Sequence, residues 1–101
     1  MIIKMTALKL PDESEVFRLK TDTPIDVVVT DDAGTEQIQN MFIYLLDKLI
    51  SNDVEIEFEK TPDYGNEMYE NVCKDYIQSL NRELKEAREA LIKEGYATGE
   101  K

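Results

Sequence analysis

The sequence predicts a small α+β domain, a two-layer sandwich in the order β-β-β-α-β-α that ends in a long helix. Three patterns carry that prediction. Four short runs alternate apolar and polar residues, as half-buried strands do. Residues 38–50 repeat apolar side chains at helical spacing. Residues 73–91 carry an unbroken 4-3 apolar seam. The length of 101 residues fits one domain, taken as residues 1–96 with a flexible tail over 97–101.

Residues 2–10 read as a strand, with Ile3, Met5 and Ala7 on one face and Lys4 and Thr6 on the other. Pro11-Asp12-Glu13-Ser14 is a polar turn. Residues 16–20 form a second strand and pair with the first as a hairpin, Phe17 and Leu19 opposing Arg18 and Lys20 across it. Residues 25–30 form a third strand. Ile25, Val27 and Val29 share a face, and Val28 on the other places this strand at the centre of the sheet. Thr35 and Glu36 suit a helix N-terminus. Ile38, Met41, Phe42, Leu45, Leu46 and Leu49 then line one face of a helix over 35–51. Residues 54–59 alternate again: Val54, Ile56 and Phe58 inward, Glu55, Glu57 and Glu59 outward. A Pro/Gly loop leads to a helix over 66–93, and Gly95 stands where a left-handed C-terminal cap belongs.

The chain carries 22 acidic and 12 basic residues, a net charge of −10. Such a balance opposes direct binding to a phosphate backbone or to an anionic membrane. No apolar run reaches the ~20 residues of a membrane span, no cleavable leader is apparent, and a single Cys fits a reducing compartment. The expected location is the cytoplasm. The negative pole is the middle third: residues 36–65 hold seven acids against Lys48 and Lys60, a net of −5. Asp53, Glu55, Glu57, Glu59 and Asp63, with Tyr64 as an exposed aromatic anchor, form the expected partner-binding face. Successive outward carboxylates on a strand lie ~6.6 Å apart, close to the spacing of phosphates on a nucleic-acid strand. Lys60 is the nearest base in the sequence.

Catalytic constellations are missing. There is no His, so the commonest general base is absent, and one Cys cannot build a zinc site. Four glycines form no phosphate loop. No catalytic residue, cofactor or metal is expected. The segment Val27-Val28-Val29-Thr30-Asp31-Asp32-Ala33-Gly34-Thr35 resembles, over nine residues, the strand-end Asp-x-Asp-Gly-Thr loop of haloacid dehalogenase-type phosphotransferases. That resemblance would imply an Asp nucleophile and Mg²⁺. Here the two Asp are adjacent and Ala33 precedes the Gly, and the chain is too short for that fold. The segment is therefore read as a turn and a helix start. Asp31, Asp32 and Glu36 match no EF-hand spacing and are read as a solvated acidic loop.

The long helix offers the second expected surface. Twenty-eight residues span ~42 Å, against a body diameter of roughly 34 Å for a compact chain of this size. Cys73, Ile77, Leu80, Leu84, Ala87 and Leu91 fall at the a and d positions of three heptads, with Glu83 and Arg88 flanking as a g–e pair. The expected use is association with a second copy or a partner helix. Small, acidic, motif-free chains of this kind are encoded by bacteriophages and mobile elements as inhibitors of nucleic-acid machinery. The function expected is thus non-enzymatic binding to a basic surface of a host protein. An assembly protein that oligomerises through the long helix is the alternative.

Overall fold

The computed structural model describes residues 1–22, 24–28, 35–62 and 64–96, with the side chains of residues 28, 35 and 36 left aside. The expected continuation of the third strand to Thr30, the loop with Asp31 and Asp32, Asp63 and the tail 97–101 lie outside the described residues. Six elements follow in the order the spacing predicts: β1 (Ile2–Lys9), β2 (Glu15–Lys20), β3 (Ile25–Val28), α1 (Thr35–Leu49), β4 (Glu55–Phe58) and α2 (Glu67–Lys93). The fold is α+β.

The strands form one sheet in the order β3-β2-β1-β4. β1 and β2 pair antiparallel with Ala7 opposite Phe17, as the alternation predicts. Their turn closes through Glu13 N–H to the Leu10 carbonyl, 2.8 Å, and places Glu13 in the left-handed region. β4 joins the far side of β1 in parallel, with Ile3 opposite Ile56. β3 pairs antiparallel with β2 at the other edge. The central position expected for β3 is thus corrected. Val28 stands opposite Val16, which in turn pairs with Leu8.

Both helices lie on one face. Ile3, Met5, Ala7, Phe17, Leu19, Val27 and Ile56 meet Met41, Leu45 and Leu49 of α1 and Cys73, Ile77, Leu80 and Leu84 of α2. This layer against layer makes most of the core, and the residues named are those whose alternation and helical spacing marked them.

The association seam is likewise corrected. Cys73, Ile77, Leu80 and Leu84 are buried in the domain's own core, and Ala87 and Leu91 pack half-buried against it. The length argument failed because the body is not round. It measures 44 × 25 × 23 Å, and the 27 residues of α2 span ~40 Å. The helix lies along the long axis, so its seam faces the sheet and α1.

Caps fix both ends of α2. The Asn66 side chain accepts from Tyr69 N–H at 3.4 Å. At the C-terminus Gly95 sits at φ +83°, Gly95 N–H reaches the Ile92 carbonyl at 3.1 Å, and Tyr96 N–H reaches Leu91 at 2.8 Å. That pair of bonds closes the last turn in the left-handed manner that only glycine adopts freely. The Tyr96 side chain itself stays exposed.

Arg88 departs most from its expected role. Instead of flanking a heptad it is buried, and its Nη1 donates to the carbonyls of Leu49 and Asn52, each at 2.6 Å. Leu49 is the last residue of α1, where carbonyls lack helical partners and the dipole is negative, and Asn52 lies in the turn that follows. One guanidinium thus ties the second half of α2 to the end of α1.

Two substitutions test this packing. Leu84→Ala should destabilise by about 2–5 kcal/mol, the usual range for truncating a fully buried leucine, and Leu84→Glu should abolish cooperative unfolding. Arg88→Met should cost about 2–3 kcal/mol, since it orphans two carbonyls that a charged donor satisfied. Urea unfolding followed by circular dichroism measures both.

Candidate functional site

The expected acidic face is built on the side of the sheet opposite the helices. The parallel register of β4 puts Glu55, Glu57 and Glu59 there. The even-numbered residues of β1 and β2 point to the same side. Lys4 therefore meets Glu57 at 2.6 Å, and Lys20 hydrogen-bonds Glu59. Arg18 grips Asp26 with two bonds, 2.7 and 2.9 Å, farther along the face.

Lys60 is consequently not the base that matters: two lysines distant in sequence neutralise two of the three carboxylates. The Lys20 ammonium holds Glu59 below the usual carboxylate range, and Glu57 raises Lys4 above the usual lysine value. Exposed pairs of this kind add little stability. Their consequence is a local field closer to neutral than the sequence of β4 implies. Glu55 and Asp53 remain exposed at the start of the strand, where the N-terminal ammonium donates to the Asp53 carbonyl at 2.7 Å. Asp63 lies outside the described residues.

Tyr64 is corrected outright. It is 8% exposed and belongs to the core cluster. The loop after β4 is stitched back onto β1: Thr61 Oγ1 donates to the Ala7 carbonyl at 3.2 Å and shares a hydrogen bond with Thr6. Tyr64 N–H then reaches the Thr61 carbonyl at 3.1 Å, and its hydroxyl donates to Glu15. Burial, then that hydrogen bond to Glu15, raise the phenol above its ordinary range.

A different surface emerges on α2. Met68 is 63% exposed and Val72 44% exposed. They are four residues apart, so they stack on one flank of the helix. Tyr69 and Tyr76 continue the strip toward the core, each partly buried against it. Tyr76 packs on Phe17, ring centroids 5.9 Å apart. Asp75, three residues beyond Val72 and exposed, borders the same flank. The one base of this half-helix, Lys74, leans the other way, 5.0 Å above the Phe58 ring. The flank is therefore apolar with an acidic rim.

The sequence held the signal for this surface. Met68 and Val72 lie outside the arc shared by Cys73, Ile77, Leu80 and Leu84, and a helix longer than its packing stripe exposes such residues. Arg88 was legible the same way, since 77, 84 and 88 share one side of the helix.

Two buried side-chain oxygens lack hydrogen-bond partners among the described residues, Glu70 Oε1 and Tyr76 Oη. Glu70 lies in the first turn of α2, where the helix dipole favours a carboxylate. Burial, with Glu83 and Cys73 adding, pushes the Tyr76 phenol up to about 12. Burial, with Glu70 adding, pushes the Cys73 thiol up to about 12. Among the described residues no three His, Cys, Asp or Glu side chains gather as metal ligands, and no helix is long and apolar enough to cross a membrane. Asp31 and Asp32 lie outside the described residues. Comparison with protein-family models, curated proteins and solved structures finds no match to this chain.

Cys73 gives a sharp test of this packing. A thiol-specific reagent should modify it in the native protein at least about 10³-fold more slowly than in denaturant, because reaction awaits opening of the core. Its folded value near 12 lies above the ordinary 9. The neutral thiol's contribution is hence complete below pH 9 and is lost as pH rises from 9 toward 12. Stability measured across that window should fall.

Proposed function

We propose that this chain is a non-enzymatic binding protein that works in the cytoplasm and docks on a partner protein whose surface joins an apolar pocket to basic residues. The docking element is the first half of α2, with Met68 and Val72 as anchors and Asp75 at the rim. The observation that carries the reading is the exposure of those two large side chains side by side on a helix whose other large apolar residues are buried or half-buried. Apolar anchors in an acidic rim match a partner of opposite rim charge. The net charge of −10 adds long-range attraction to the same class of surface.

Where the partner's basic surface is a nucleic-acid groove, occupancy excludes the nucleic acid, and the chain acts as an inhibitor. The absence of His from the sequence supports a role without catalysis. The assembly reading has lost its surface, since the seam on which it rested packs inside the domain.

The test begins with capture of the partner from the source cell and continues with binding kinetics on purified proteins. Met68→Ala/Val72→Ala should weaken affinity by roughly 10- to 100-fold, chiefly through faster dissociation, as loss of central anchors does. Asp75→Asn should slow association at low salt and leave dissociation nearly unchanged. Glu57→Gln/Glu59→Gln should leave dissociation unchanged and slow association only by the change in net charge, because those carboxylates lie away from the docking flank. An apolar double variant that binds like the wild type overturns the assignment of the surface. Affinity indifferent to salt overturns the basic partner.

A further inference from the structure

β4 is an edge strand, and α2 runs antiparallel along its open side. Glu55 N–H bonds the Met1 carbonyl and Glu59 N–H bonds Met5, each at 2.9 Å. The odd residues of β4 thus turn their backbone groups to β1, and the even residues turn theirs to the free edge. An edge of this sort is a template for another strand. Its central residue is Ile56, and there the side chain of Asn81 fills the place of a neighbour. Ile56 N–H donates to Asn81 Oδ1 at 2.8 Å, and Asn81 Nδ2 donates to the Ile56 carbonyl at 2.9 Å. The carboxamide copies the donor and acceptor of one peptide group.

Two lysines extend the cover. Lys74 lies over Phe58 at one end, 5.0 Å from the ring centroid. Lys85 lines a cleft of about 320 Å³ with Val54, Glu55 and Asn81 at the other. Lysine beside an edge strand is itself a guard against strand addition.

We infer that this row of α2 is an in-chain plug of a strand-addition site: Asn81 occupies the two backbone groups through which β4 of a second copy would pair, and so holds the chain back from edge-to-edge self-association. The second copy is the occupant because a two-fold antiparallel pair centred on Ile56 would set Val54 opposite Phe58 and Ile56 opposite itself, while Lys4 partners Glu57, the carboxylate that would face Glu55. The inference stands apart from the partner reading above, since it concerns the opposite side of α2 from Met68 and Val72.

Amide hydrogen exchange at Ile56 and sedimentation velocity over a range of concentrations test it on the intact chain. Asn81→Ala should speed exchange at Ile56 by roughly tenfold, the factor that one hydrogen bond of ordinary net strength sets. It should also associate at concentrations where the wild type does not, with Val54, Ile56 and Phe58 amides protected again in the dimer. Asn81→Asp has the same shape and keeps the acceptor but loses the donor, so it should associate to an intermediate degree even if the alanine variant proves unfolded. Faster exchange without greater association than the wild type in either variant overturns the plug and leaves Asn81 a packing contact. Unchanged exchange at Ile56 in Asn81→Ala overturns the contact itself.

Discussion

α1 carries the chain from β3 at one edge of the sheet to β4 at the other, and β4 docks parallel to β1 with Ile3 opposite Ile56. Much of the molecule follows from that register. It turns Val54, Ile56 and Phe58 toward the helices and the glutamates toward Lys4 and Lys20. It also leaves an unpaired edge, which α2 covers. A shift of one residue would send the glutamates into the core. Burying carboxylates against Leu80 and Leu84 would cost far more than the pairing returns.

The dimensions of the domain then decide what α2 does. A helix of 27 residues outruns a round body of this mass, and a heptad-like seam looks built for another helix. The domain stretches along the helix instead, and the seam is the central wall of the core. Arg88 makes this arrangement hold at the far end, where the apolar contact thins to Ala87 and Leu91. Its guanidinium joins the end of α1 to α2 through carbonyl oxygens that neither helix could satisfy alone.

Charge is distributed in a way that composition conceals. The segment with the densest run of acids is partly neutralised by strands that lie far away in sequence, whereas the first half of α2, less acidic on paper, keeps Asp75 exposed beside apolar anchors. The two flanks of α2 thereby differ in their surroundings. One, with Lys74, Asn81 and Lys85, shields the β4 edge. The other, with Met68 and Val72, is open.

Local physics written in the sequence determined the fold class, the six elements and nearly every core residue. Period-two alternation sets which residues of a strand share a face, and a 3-4 spacing sets which residues of a helix do, whatever the rest of the chain is doing. The caps at Asn66 and Gly95 are local for the same reason. What lay beyond reach was which elements meet. Nothing near Glu57 or Glu59 names Lys4 or Lys20, because the pairs form only once β4 joins β1 across more than 50 or nearly 40 intervening positions. Tyr64 looked exposed in its Pro/Gly loop until Thr61 tied that loop to β1 and Glu15 took the phenol. β3 looked central because two apolar faces read alike whether a strand has one neighbour or two. The seam of α2 looked like an interface because an apolar stripe does not state its partner. A helix and a sheet face satisfy it equally, and only the tertiary structure chose the sheet.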